Sequence, residues 1–139
     1  VVFLDGGGEN CLKELEQAEA VFKPLGNQGT DVCPVKNAVR VSRFTLSSSI
    51  ILRCPAAVDT ANWLDDIQAR HITHMGTLNC RKRRGRGIMS EHNFGTAIDM
   101  SEIDDAVVSK HWNDKGDKGV KLRKAAKAAC RYYANVLTP

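Results

Sequence analysis

The chain has 139 residues, 42% of them hydrophobic, which suits one domain with a buried core and leaves little room for two. Charged residues make up 26% and the formal net charge is +4, values that exclude a disordered polyelectrolyte. No run of eighteen apolar residues occurs, so no membrane span is predicted. We therefore predict one domain over residues 1–139.

The first half of the chain shows helical and strand-like patterns in turn. Asn10 is a good N-cap, and an apolar stripe from Cys11 to Phe22 predicts a first helix that Pro24 and Gly26 close. Residues 26–37 are rich in turn formers and are predicted to be a loop. Alternation over 39–41 predicts a short strand.

The second half begins with the apolar residues 50–52, which lead to a second helix with Pro55 in its first position. Strands are predicted over 72–81 and 97–100, and a last helix over 118–136. These elements indicate an α+β fold, in which a small antiparallel sheet packs against three main helices.

Five cysteines are scattered along the chain without a Cys-x-x-Cys pair, which disfavours a finger-type zinc site. In a small domain this pattern favours disulfides formed in an oxidising compartment, with reduced cytosolic thiols as the alternative. Spacing alone does not reveal the connectivity. The odd count leaves at least one cysteine free or paired outside the chain. The five are Cys11, Cys33, Cys54, Cys80 and Cys130.

Five basic residues fall within the six positions from Arg81 to Arg86. Such a cluster attracts nucleic acid, anionic glycans or lipids, but a solvated basic loop has the same composition. No helix-turn-helix, zinc-finger or aromatic RNA-binding pattern accompanies it. We therefore predict no nucleic-acid partner. Binding to anionic glycans or lipids and a merely solvated basic loop both stay open.

The segment 90–100 contains a histidine and an aspartate seven positions apart. His92 offers an imidazole nitrogen and Asp99 a carboxylate oxygen, and both are good zinc ligands. Gly95 would permit a tight turn between them, and strand alternation would direct Asp99 away from the core, opposite to Ile98 and Met100. Spacing alone nevertheless favours a surface histidine and a capping aspartate.

The residues around this pair favour a metal site. The string Ser-Glu-His-x-x-Gly-x-Ala-Ile-Asp resembles the first metal motif of zinc peptidases related to D-Ala-D-Ala carboxypeptidases, lysostaphin and the Hedgehog signalling domain. The whole chain resembles the bacterial extensin-like C-terminal domain family. The matching segments, in order, are Cys11, Cys33-Pro34-Val35, 52–57 with Trp63, 76–81, 90–99, Trp112, Ala129-Cys130 and 136–139.

This resemblance implies specific roles. His92 and Asp99 match the first two ligands of a Zn²⁺ ion, and Arg81 matches an arginine that related peptidases place near the substrate. That arginine would stabilise the developing oxyanion, although Arg81 is equally explained as one member of the basic loop. Related enzymes take a third ligand and a base from a His-x-His-like motif beyond the position of Pro139. We expect the chain to be cut short there, or its third ligand to come from elsewhere.

The implied function is zinc-dependent hydrolysis of peptide bonds in peptidoglycan or its stem peptides, in a periplasmic or otherwise exported protein. The alternative is a non-catalytic wall-binding module with a degenerate metal site. A disulfide between Cys80 and Cys130 would tie the strand that carries the site to the last helix, and a second is predicted between Cys11 and Cys33.

Overall fold

A computed structural model describes residues 8–29, 34–42, 49–76 and 96–139. These residues form an α+β fold with two three-stranded antiparallel sheets, which confirms the predicted class and divides the predicted sheet in two. The elements are α1 (Gly8–Gln17), β1 (Phe22–Gly29), β2 (Pro34–Val41), β3 (Ile50–Arg53), α2 (Cys54–Asp66), β4 (Ile72–Gly76), β5 (Asp99–Ile103), β6 (Ala106–Val107), α3 (Val108–His111) and α4 (Asp117–Ala129).

The first sheet has the order β1-β2-β3. Strand β2 confirms the strand predicted over 39–41, but β1 and the first part of β2 lie where the end of a helix and a loop were predicted. The helix ends at Gln17, and Glu19 turns the chain with a left-handed φ of 58°. Pro24 and Gly26, which suggested a helix stop, lie in edge strand β1 next to register shifts, with Gly26 at φ +67°. An edge strand tolerates proline because its N–H group is not needed in the ladder. Pairing with β2 therefore overrides the local signals.

The second sheet has the order β4-β5-β6. Strand β4 confirms the prediction over 72–76, while residues 77–81 lie outside the described residues. Strand β5 starts two residues later than predicted and runs on to Ile103. Two residues, Asp104 and Asp105, connect β5 to β6, and Asp104 adopts the left-handed φ of 51° that such short turns need.

The two sheets share a core with α2 and α4. Helix α2 begins as predicted, with Pro55 in its first turn, and buries Trp63 and Leu64. Helix α4 ends at Ala129, earlier than the predicted 136, but Tyr133 and Val136 still pack against the core. The spacing of apolar residues in the C-terminal segment therefore identified the core-facing side chains correctly, including those that follow the end of the helix.

A disulfide joins Cys11 in α1 to Cys54 at the start of α2. The predicted Cys11–Cys33 bridge is therefore wrong, and Cys130 has a free, exposed thiol, so the predicted bridge to Cys80 is wrong as well. The two cysteines that pair are 43 positions apart and are brought together by the packing of α1 on α2, which spacing cannot reveal. A disulfide indicates an oxidising, exported environment. Among the described residues, no helix is long and apolar enough to cross a bilayer.

Asp104 fastens the β5–β6 turn to two other parts of the fold. Its carboxylate accepts hydrogen bonds from the backbone N–H groups of Arg70 (2.9 Å) and His71 (3.1 Å) and from the ammonium group of Lys121 in α4. Burial raises the pKa of Asp104, but these hydrogen bonds outweigh it and hold the pKa below its ordinary value of 3.8. One ionised side chain therefore connects the residues just before β4, the β5–β6 turn and α4.

Gly119 in α4 lies against the loop that precedes the helix. A Cβ atom at this position would lie 2.0 Å from the carbonyl oxygen of Asp114 and 2.6 Å from that of His111. Both atoms belong to the backbone and cannot rotate away. The close approach of loop and helix requires a residue without a side chain.

We predict that Gly119→Ala lowers the free energy of unfolding by about 2 kcal/mol, because a buried backbone must move to admit a methyl group. Urea unfolding measures the change. Gly116→Ala is the matched control, since its Cβ would meet nothing closer than 3.5 Å and should cost less than about 1 kcal/mol. Equal losses in the two variants would contradict this explanation.

We predict that Asp104→Asn lowers the free energy of unfolding by about 1 kcal/mol at neutral pH, because the pairing with partly exposed Lys121 is lost. The folded state lowers the pKa of Asp104, so its contribution is present above pH 3.8 and is lost as the pH falls through the folded pKa. The difference in free energy of unfolding between wild type and variant, measured by urea unfolding from pH 7 to pH 3, should therefore become smaller only at the lowest pH values. A gap that does not change with pH would contradict this account.

Candidate functional site

Asp99, the predicted aspartate ligand, is the first residue of β5. Its side chain is exposed, whereas its neighbours Ile98 and Met100 are partly buried and pack against the core. This arrangement is the one predicted from strand alternation. The carboxylate is turned to solvent, while the residues on both sides of it anchor the strand.

Alternation over 97–100 alone exposes Asp99, but alternation counted from Ile103, at the other end of β5, would have turned its side chain toward the core. Ile103 is buried, and counting back from it in steps of two leads to Asp99 on the core face. The pairing of β4 with β5 is irregular at this point. Thr73 pairs with Glu102 and the next residue, His74, pairs with Met100, so β5 contains one residue more than β4 between the two pairs. Such a bulge shifts the inward–outward alternation of β5 by one residue, so that Met100 faces the core and Asp99 faces solvent.

The extra residue is Ser101, whose hydroxyl donates a hydrogen bond to the carbonyl oxygen of Thr73 at 3.1 Å. A second irregularity follows in β4, where Met75 is passed over and Gly76 pairs with Asp99. Met75 is 81% exposed. Because each strand contributes one extra residue, the original register returns at Asp99.

The two histidines that precede the basic cluster are not arranged around Asp99. His74 is partly buried and lies opposite Met100 on the core side of the ladder, and His71 is partly buried next to the Asp104 turn. Within the described ranges, no group of three or more His, Cys, Asp or Glu side chains could hold a metal ion. His92 and Arg81 lie outside the described residues, so their predicted roles stay predictions.

Asp99 has the donor chemistry of a cation ligand. An exposed carboxylate at a strand end can give an oxygen ligand to a divalent cation without the cost of burying a charge. The cysteines of the described residues do not compete for this role. Cys11 and Cys54 are joined to each other, and Cys130 lies at the end of α4.

The structure also contains an unusual carboxylate that the sequence did not reveal. Partial burial of Asp59 in α2 raises its pKa to about 6, and the nearby Glu14 of α1 adds to the effect. Nothing in the sequence singles out Asp59, which lies between two residues of the buried face, Val58 and Thr60. Since its causes are burial and one like charge across the α1–α2 contact, the shift describes helix packing.

The model of the family described as Extensin-like protein C-terminus matches residues 9–139. The match includes every element from α1 to α4 as well as the segment 90–99. Comparison with curated proteins and with solved structures gave no match.

We predict that Asp59→Asn raises the free energy of unfolding at pH 7 by about 1 kcal/mol, once solvent screening is allowed for. The folded state raises the pKa of Asp59, so wild type loses stability as the pH rises from 3.8 to about 6, where the unfolded chain releases its proton first. Urea unfolding at pH 4 and pH 7 should show the variant gaining over wild type at the higher pH. The change in free energy of unfolding on Asp59→Asn at pH 7 is therefore opposite in sign to the change expected for Asp104→Asn.

Proposed function

Since this chain belongs to the family of extensin-like protein C-termini, we propose that it is a zinc-dependent hydrolase of peptide bonds in peptidoglycan. The observation that carries the proposal is the direction of Asp99. The strand that bears it is anchored by apolar neighbours on both sides, and a bulge turns its carboxylate to solvent.

In the proposed site, His92 and Asp99 hold Zn²⁺ through an imidazole nitrogen and a carboxylate oxygen. A zinc ion bound there would lower the pKa of its water and polarise the scissile carbonyl group. Arg81 would face the charge that develops on the carbonyl oxygen, or a carboxylate of the substrate. These assignments for His92 and Arg81 rest on the motif resemblance alone.

The proposed location is the periplasm or another exported compartment. The disulfide between Cys11 and Cys54 supports an oxidising environment, and peptidoglycan is found outside the cytoplasm. The substrate and the redox chemistry of the domain therefore agree.

The second candidate is a wall-binding module with a degenerate metal site. It requires only the fold that the family match supports and no complete set of metal ligands. The two candidates differ in their products. A hydrolase releases soluble peptide from peptidoglycan, whereas a binding module retains the polymer and releases nothing.

We predict that the purified full-length protein contains about one zinc ion per chain and that His92→Ala and Asp99→Asn each lose it. Elemental analysis after dialysis against metal-free buffer provides the measurement. Asp105→Asn is the matched control because it neutralises an exposed aspartate in the neighbouring turn and should keep the metal.

Zinc that persists in both ligand variants would refute the assignment of His92 and Asp99. Wild type that contains no zinc and retains peptidoglycan without releasing peptide would favour the binding module. Loss of zinc together with loss of peptide release would support the hydrolase.

A further inference from the structure

The charge of this protein is distributed very unevenly. Residues 106–139 contain eight Lys and Arg against two Asp, a formal charge of +6, whereas residues 1–105 contain twelve basic and fourteen acidic residues, a charge of −2. The whole positive excess therefore belongs to the C-terminal quarter, although the densest basic run in the sequence is at 81–86. Most of that excess lies on α4 and the residues next to it.

Helix α4 has one buried side and one outer side. The buried side consists of Gly119, Leu122, Ala125 and Ala129. At 3.6 residues per turn, the residues on the opposite side are Val120, Lys124, Lys127 and Arg131, which we call the outer face of α4. All four are exposed.

Most basic residues around the outer face already have partners. Lys118 pairs with Asp105 at 3.8 Å, Lys121 with Asp104, and Arg131 with Asp66 at 3.1 Å.

Arg123 is engaged in a different way, because its guanidinium group donates to the carbonyl oxygens of Trp112 and Asp114. Lys124 and Lys127, in contrast, form no ion pair with any residue in the described ranges. They are three positions apart, so both ammonium groups project from the same part of the helix.

We propose that the outer face of α4 binds the carboxylate-bearing strands of peptidoglycan, as a second contact separate from the metal site. The choice of partner rests on the proposed function, and the location rests on charge. Two neighbouring lysines that form no ion pair with the described part of the chain provide point charges that suit a flexible polymer with repeated carboxylates.

An anionic membrane is a poorer match for this surface. A helix that lies in a bilayer interface needs a broad apolar face to insert. The apolar side of α4 is used in the core, and the outer face offers only Val120, which is 38% exposed. Nucleic acid is also a poorer match, because no aromatic side chain on the outer face could stack on a base.

The experiment compares two charge reversals of equal size. The test variant is Lys124→Glu with Lys127→Glu, and the matched control is Lys13→Glu with Lys36→Glu, which reverses two exposed lysines on α1 and β2. Co-sedimentation with purified peptidoglycan at about 0.05 M salt gives the Kd. We expect about a tenfold weaker Kd for the test variant only, with a smaller salt dependence than wild type.

The neutral pair Lys124→Gln with Lys127→Gln should show an intermediate loss and protects the test if the reversal impairs folding. Equal weakening in the test and control variants would overturn the proposal, since net charge alone would then explain binding. Tighter binding of wild type to anionic lipid vesicles or duplex DNA than to peptidoglycan would overturn it too.

Zinc content separates this proposal from the proposed function. The test variant should keep the zinc content of wild type, because α4 contributes no metal ligand. If wild type binds no zinc but the test variant still loses affinity for peptidoglycan, the assignment of the metal ligands is refuted and the proposed binding role of the outer face of α4 is supported.

Discussion

The buried indole of Trp63 is the constraint on which the rest of the fold depends. Its ring is 2% exposed, so its N–H group must find an acceptor away from water, and it donates to the carbonyl oxygen of Ala125 in α4 at 2.9 Å. Tyr133 meets the same ring edge-on at 6.2 Å and hydrogen-bonds to Thr60. Because α2 packs on the first sheet and α4 on the second, this contact between them joins both halves of the core.

Two further ties fix the elements that Trp63 leaves unattached. The disulfide holds α1 to the start of α2, closing a loop whose entropy is worth about 4 kcal/mol in the chain-entropy model. Asp104 holds one end of β5 to α4 and to the segment before β4. With that end fixed, the bulge at Ser101 decides which way Asp99 points at the other end. The direction of the candidate ligand is therefore a consequence of long-range anchoring.

Carboxylates in this protein have opposite energetic roles according to their neighbours. Asp104 is stabilised in its charged form by hydrogen-bond donors, Asp59 is destabilised by burial and by Glu14, and Asp99 is exposed to solvent. Of these three carboxylates, Asp99 is the one with an exposed side chain. The lysines of α4 also differ in their neighbours, because Lys118 and Lys121 each pair with an aspartate, whereas Lys124 and Lys127 form no ion pair within the described ranges.

Composition, apolar period and motif were sufficient to predict the α+β class, the start of α2 at Cys54-Pro55 and the family, because each is a local property of the chain. The alternation over residues 97–100 also predicted that Asp99 is exposed, but the bulge that keeps it exposed depends on the pairing of β4 with β5. Features that depend on contacts between distant residues could be seen only in the folded chain. The segment around Pro24 is a strand because β2 pairs with it, and Cys11 joins Cys54 because α1 packs on α2. The bulge at Ser101 also depends on distant contacts. Ile103 and Met100 are three positions apart, and a regular strand could not turn both side chains to the core that the distant elements form.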